Sequence, residues 1–211
     1  MKEHCIVMEV GGIIPALTGM RLPTKSIGDS DYDVEGSPKL GEKDERLAKN
    51  LIAKGNVHGK MQRGITAWLD LNMPRYMWSE IDTYSVGVAP TSSTSTMYTL
   101  KKEGRAGITK DMFSEYTPDF VIDQFKDNIS RLETVYGGIN EIPMHILKSC
   151  LPEGWLQRRI KSYSYQSLKG MYRDRYNHRL PEWRTICTAI ESLPYFEELL
   201  IGCKKEDFKF D

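Results

Sequence analysis

The stretch LPEGWLQRRIKSYSYQSLKGMYRDRYNHRLPEW, Leu151 to Trp183, decides how this chain is read. Pro152 stops a short helix that runs from about Glu141 to Lys148, because proline cannot continue the backbone ladder. Residues 155–176 read as one helical stretch carrying Arg158, Arg159 and Lys161 near its start. The Tyr-Asn-His-Arg turn at 176–179 closes it, and Pro181 opens a further helix through Leu193. That last helix places Trp183, Ile186, Ala189 and Ile190 on one face, at core spacing. Residues 194–201 add a last turn or two.

Upstream, CIVMEV at 5–10 is apolar and partly β-branched and ends at Gly11-Gly12, which predicts a first strand. Residues 18–41 are rich in Gly, Ser, Asp and Pro without a period, so a long loop is expected there. Glu42 to Lys54 carries Leu47, Leu51 and Ile52 on one face with Gly55 behind it, the pattern of a helix. Gly64 to Leu71 alternates Ile65, Ala67 and Leu69 against Thr66, Trp68 and Asp70, a strand with both faces at least half buried. Pro74 begins a helix through about Tyr84, and 87–96, with its serine and threonine run, reads as a loop. Thr117-Pro118-Asp119 opens a helix with Val121, Phe125, Ile129 and Leu132 at core spacing, stopped by Gly137-Gly138. Few strands and many helices give a mixed α/β (α+β) class: a small sheet with packed helices, in a single domain over 1–211.

The composition narrows the function classes. Lysine plus arginine number 29 and so do aspartate plus glutamate, which argues against a duplex nucleic-acid partner, since such proteins carry a basic surplus. Cys5, Cys150, Cys187 and Cys203 are far apart in sequence, with neither a CxxC pair nor zinc spacing, so free thiols in a reduced, cytoplasmic setting are expected. The N-terminal apolar stretch is too short and too interrupted for a secretory segment, and no apolar run is long enough to cross a membrane. Nucleophile elbow, P-loop and dinucleotide fingerprints are all missing. Asp29-Ser30-Asp31-Tyr32-Asp33 lacks the glycine and glutamate that a calcium loop needs, so no metal site is expected.

Against this background the chain resembles the flavin-dependent thymidylate synthases, also called thymidylate synthase complementing proteins. Their C-terminal block begins Leu-Pro and continues through Asn-x-Arg-Ser-Leu, an arginine, a histidine turn and a tryptophan. Here Leu151-Pro152, Ser164-Tyr165-Gln166-Ser167-Leu168, Arg175, His178 and Trp183 fall on that pattern, the last after one inserted residue. Upstream, Lys54-Gly55, the strand, Pro74, a helix and Ser95-Thr96-Met97-Tyr98 follow the family's order. The departures are as informative. The family's Arg-His-Arg falls on Thr83-Tyr84-Ser85, its Ser-x-Arg-Tyr arginine on Met97, and the asparagine and arginine of its C-terminal block on Ser164 and Gln166. An arginine fork gives a phosphate two charge-assisted bonds; these replacements offer only neutral ones.

The resemblance implies FAD, a folate or other one-carbon donor, and reductive methylation of a pyrimidine deoxynucleotide such as dUMP. It implies Arg175 and His178 as catalytic residues. Thr83, Tyr84, Ser85, Ser164 and Gln166 would face FAD, and Glu80, Ser95, Lys148 and Arg175 the nucleotide. Lys148, Arg158, Arg159, Lys161, Arg21 and Lys25 either build a compensating phosphate cradle or lie in solvent paired with acids. Trp68, Tyr76, Trp78, Trp155 and Trp183 are core or stacking aromatics. A non-catalytic binder or regulator that keeps the fold is the other reading. A homo-oligomer, a tetramer, is expected from the family's shared active sites and from the apolar content of Tyr76, Met77, Trp78 and Ile81.

Overall fold

A computed structural model describes residues 3–33, 39–84, 88–103 and 107–210. The elements run β1 (His4–Gly11), α1 (Ile13–Arg21), α2 (Glu42–Ala53), β2 (Thr66–Pro74), α3 (Arg75–Ile81), β3 (Ala89–Ser93) and α4 (Thr96–Glu103). They continue through α5 (Asp119–Tyr136), α6 (Met144–Ser149), β4 (Leu156–Ser164), α7 (Tyr165–Arg175) and α8 (Glu182–Glu191). A π-helical segment, Phe196–Ile201, follows. The four strands form one sheet in the order β1-β2-β4-β3, and the class is α/β, as the sequence predicts. β2 and β4 run antiparallel: Tyr165 N–H donates to Ile65 O at 2.9 Å, and Arg75 N–H to Trp155 O at 3.1 Å.

Three expectations are corrected. Residues 155–176 are not one helix; β4 occupies 156–164, and only α7 beyond it is helical. The misreading has a physical cause. The strand is part-buried on both faces, so Gln157, Arg158 and Arg159 stand beside Trp155, Leu156 and Tyr163 without clean alternation. The loop expected over 18–41 begins later, because α1 extends to Arg21 and 3-10 turns follow at Leu22–Thr24 and Ile27–Asp29. The loop expected over 87–96 contains β3 and the first turn of α4.

The chain divides into two compact units. Unit 1 comprises 1–4, 71–83 and 91–160; unit 2 comprises 5–70, 84–90 and 161–211. The core of unit 1 is built on α5, whose Ile122, Phe125 and Ile129 join Phe113, Ile142, Leu147 and Trp155. Phe113, Phe125 and Trp155 meet edge to face, with ring centroids 5.3–6.1 Å apart, the arrangement that aromatic quadrupoles favour. α5 ends at Gly137, whose φ of 83° caps the last turn in the left-handed region that glycine adopts without strain.

Unit 2 packs α7 against α8, and both α7 and α2 against the π-helical segment. Trp183, Ile186 and Ile190 of α8 are fully buried, as the helical spacing predicts. Its N-terminal segment is fixed by a buried ion pair, Arg21 Nε to Asp44 Oδ1 at 2.5 Å. Asp44 also accepts from Ser30 Oγ at 2.6 Å and from Asp31 N–H at 3.2 Å. In return the Asp31 carboxylate accepts the Lys43 and Asp44 N–H groups at the start of α2, satisfying donors that have no partner within the helix.

Candidate functional site

Unit 1 holds a polar cavity of about 380 Å³ between α3, the start of α4, the end of α6 and β4. Arg75, Arg159 and Lys148 bring positive charge to it, against the carboxylates of Asp82 and Glu153. Arg75 follows Pro74, which enters α3 in extended conformation, so its side chain starts at the first helical position. Its guanidinium donates to Leu151 O at 3.1 Å and lies 3.3 Å from Glu153 Oε1. Arg159 reaches the same cavity from β4. Its guanidinium donates to Asp82 Oδ2 at 3.0 Å and to Gln157 Oε1 at 3.1 Å. The Arg159 Cζ lies 4.1 Å from the centre of the Trp78 ring, a cation–π contact that holds the fork against a rigid face. The Trp78 indole is itself fixed by donating to Met73 O and Gln157 O.

Two features leave this cavity short of anionic partners. The Arg159 Nε is buried with no hydrogen-bond acceptor. Lys148 has no hydrogen-bond or ion-pair partner among the described residues. The acids present are also weakly competitive, since the side chains of Glu153 and Asp82 are 62% and 46% exposed and water screens such pairs.

Of the substrate residues read from the sequence, Lys148 is on this wall. Glu80 and Ser95 belong to unit 1 but are not among its lining residues; their neighbours Ser79, Asp82 and Thr96 are. Ser95 instead accepts the Tyr98 and Thr99 N–H groups through its carbonyl at the start of α4. Arg75 and Trp78 are the functional candidates that sequence reasoning missed as cavity formers. The available signal was a cation placed at the first position of a helix behind a proline.

The proposed cradle of scattered cations is not assembled as expected. Arg159 and Lys148 share the cavity, whereas Arg21 is buried against Asp44 in unit 2. Lys161 is buried in unit 2, and Arg158 is exposed on β4, where alternation turns it to the other face from Arg159.

Unit 2 gathers Tyr84, Arg175, His178 and Trp183. The Arg175 Nε donates to the Tyr84 hydroxyl at 2.9 Å. Its guanidinium carbon lies 5.4 Å from the Tyr84 ring centre and 5.2 Å from that of Trp183. The Tyr84 hydroxyl in turn donates a hydrogen bond to Asp174 Oδ2 at 3.3 Å. Burial raises the Tyr84 phenol above its usual range, the Arg175 cation opposes that shift and the Asp174 carboxylate adds to it. His178 stands edge-on to Trp183, at 6.2 Å between ring centroids, and its Nδ1 accepts the Leu180 N–H at 3.2 Å. Arg175 at the end of α7, His178 in the turn after it and Tyr84, 91 positions before Arg175, thus converge on one buried indole.

The residues assigned to FAD are largely engaged within the chain. Ser164 is the N-cap of α7, accepting the Ser167 N–H at 3.1 Å and pairing with the Ser167 hydroxyl at 3.0 Å. The Gln166 side-chain oxygen accepts from Arg63 Nε at 2.7 Å. Thr83, in unit 1, donates to Glu80 O at 2.7 Å. Ser85 lies outside the described residues, as does the side chain of Met97. This set offers few unengaged donors to a dinucleotide pyrophosphate, and it does not by itself fit FAD. Arg63, bonded to Gln166, is a cation beside this set that the sequence reading did not name.

The four-stranded sheet with its packed helices is the fold of solved flavin-dependent thymidylate synthases. It is similar to thymidylate synthase X from Helicobacter pylori, crystallised with FAD and dUMP. The TM-score is 0.72 at 17% identity, covering 96% of this chain and 99% of that one. A second Helicobacter pylori structure, flavin-dependent thymidylate synthase complexed with FAD and dUMP, gives 0.72 at 17% over 97% and 100%. A UMP/dUMP methylase from Streptomyces cacaoi, bound with 5-Br dUMP, gives 0.64 at 11% over 90% and 88%. No family model and no curated protein sequence matches the chain.

Proposed function

We propose that this chain is a diverged flavin-dependent thymidylate synthase-like protein that binds a pyrimidine deoxynucleotide such as dUMP. The observation that carries this reading is the unit 1 cavity, where Arg75, Arg159 and Lys148 converge and Arg159 Nε and Lys148 lack acceptors. These cations stand in for the arginines that Thr83, Ser85, Met97 and Gln166 replace, and the phosphate would sit among them. In unit 2, Arg175 is proposed separately as a pyrimidine contact. The Tyr84 and Trp183 rings beneath hold the plane of its fork in place. The whole of 1–211 is proposed to act as one domain, supported by the near-complete coverage of the similar structures.

Two finer parts of this reading concern catalysis and assembly. Reductive methylation with FAD and a one-carbon donor is the fuller version, supported by the crystallised companions of the similar structures. FAD would supply the hydride in that chemistry. The engaged hydroxyls of Thr83, Tyr84 and Ser164 favour weak flavin binding instead, and with it a nucleotide-binding or regulatory protein. A homo-oligomer, with a tetramer as the specific expectation, remains part of the proposal on the family's shared active sites, not on α3. Met77, Trp78 and Ile81 are buried within the chain, while exposed large apolar side chains include Ile6, Met8, Phe120 and Val135. A cytoplasmic setting is supported by four free cysteines. No helix among the described residues is long and apolar enough to cross a membrane.

Calorimetric titration with dUMP, beside an absorbance scan from about 350 to 500 nm before and after adding FAD, tests the reading. Saturable dUMP binding with little flavin absorbance is expected. Absence of dUMP binding overturns the function; a yellow protein that keeps FAD through high-salt washing turns it into the fuller enzymatic one. Light scattering that returns a monomeric mass at micromolar concentration removes the oligomer.

A further inference from the structure

A second cavity, of about 450 Å³, lies wholly within unit 2. One wall is the face of α8 bearing Arg184, Cys187, Thr188 and Glu191, spaced so that all four lie along one side of the helix. The turn after α7 supplies Tyr176, Asn177 and His178, and the C-terminal segment supplies Lys205. On this face Arg184 and Thr188 are exposed, while Cys187 is buried.

The balance of donors and acceptors in this cavity is one-sided. Its one carboxylate, Glu191, already accepts from Tyr172 OH at 2.8 Å and Lys205 Nζ at 2.7 Å. The Cys187 thiol is pushed up to about 12, first by burial and then by the Glu191 charge, so it stays a neutral, unreactive wall. The His178 Nδ1 accepts the Leu180 N–H, which places the proton of the neutral ring on Nε2 as a donor. Arg184, Asn177 and Thr188 have no side-chain hydrogen-bond or ion-pair partner among the described residues. A guanidinium, an amide, a hydroxyl and an imidazole N–H therefore line one cavity whose acid is paired with Lys205 of the same lining.

We propose that this cavity is a binding site for a phosphate-class oxyanion, free or carried by a small molecule, held by Arg184, Thr188, Asn177 and His178. Donors from two separate elements suit an anion with several accepting oxygens, and the Arg184 fork supplies the charge-assisted pair. Lys205, bonded to Glu191 and lying 5.5 Å from the Tyr176 ring centre, adds positive potential without being a required ligand.

The test is a titration of the full chain with inorganic phosphate, followed by amide NMR and calorimetry, with acetate as the planar-anion comparison. Saturable shifts at Asn177, His178, Arg184 and Thr188 are expected. Arg184→Ala should weaken them about ten-fold or more with the melting temperature unchanged, because Arg184 is exposed. Thr188→Val should weaken them less, and Lys148→Ala should leave them intact. The last arm separates this site from the unit 1 cavity, so failure of the nucleotide reading leaves the result interpretable. No saturable shift, an unaltered affinity in Arg184→Ala, loss of the shifts in Lys148→Ala, or acetate binding as tightly as phosphate each overturns the proposal.

Discussion

The cations of the two units are held in opposite ways. In unit 1, Arg75 and Arg159 face half- or mostly exposed carboxylates, and Lys148 has no partner among the described residues. In unit 2, Arg21 is sealed against a fully buried Asp44, and Arg175 lies over two aromatic rings with its Nε bonded to a tyrosine. Exposed charges are screened and cheap to redirect; buried ones are fixed by the desolvation that would follow their release. A charge meant to meet an incoming anion belongs to the first kind, and a charge that holds the chain together belongs to the second. Arg175 belongs to the second kind by its surroundings, clamped between the Tyr84 and Trp183 rings.

Asp44→Ala is the substitution expected to have the largest effect. It leaves Arg21 buried without a counter-charge and releases Ser30 and Asp31, a loss of about 3–5 kcal/mol by the measured cost of breaking buried pairs. Chemical denaturation of the variant reads this directly. A loss below about 1 kcal/mol, the range of exposed pairs, would erase the contrast between the units.

Lys148→Ala and Arg175→Ala sharpen the contrast from the binding side. Each should weaken dUMP by roughly ten- to a hundred-fold, the equivalent of about 1.5–3 kcal/mol for a bond to a charged group. They should differ in two companion measurements. Lys148→Ala should melt like the parent chain, and its penalty should shrink at about 1 M salt, where screening acts within roughly 3 Å. Arg175→Ala should lower the melting temperature, because Tyr84 and Trp183 lose their shared cation. An Arg175→Ala chain that melts early yet binds dUMP normally would make that residue purely structural.

Ser164→Ala carries the smallest expected change. The hydroxyl caps α7 through the Ser167 N–H, and losing such a cap costs about 1 kcal/mol. Flavin affinity should not change, since the hydroxyl is already engaged. A selective loss of FAD binding with an unaltered melt would restore Ser164 to the flavin set.

Much of the scaffold was legible in the residues. Apolar spacing fixed α8 and α5, because burial of one helix face imposes a period that sequence displays, and the alternation of Ile65, Ala67 and Leu69 against half-buried Thr66 and Trp68 marked β2. β4 was not legible. A strand covered on both sides loses its alternation, and a run such as Gln157-Arg158-Arg159 carries no preference strong enough to replace it. α1 was hidden for a related reason: Pro15 and Gly19 lower its propensity, and packing against α2 stabilises it nonetheless.

The sequence by itself determined the helix-rich α/β class, the absence of a charge surplus, the likeness in layout to one family and the exchange of that family's arginines. Those are properties of residues along a line. Only the tertiary structure decided which cations meet: that Arg75 and Arg159 line one cavity while Arg21 is sealed against Asp44, and that Tyr84 reaches Arg175 across 91 positions. Charge and residue type are local, whereas burial and partnership depend on contacts between segments that the chain brings together only by folding.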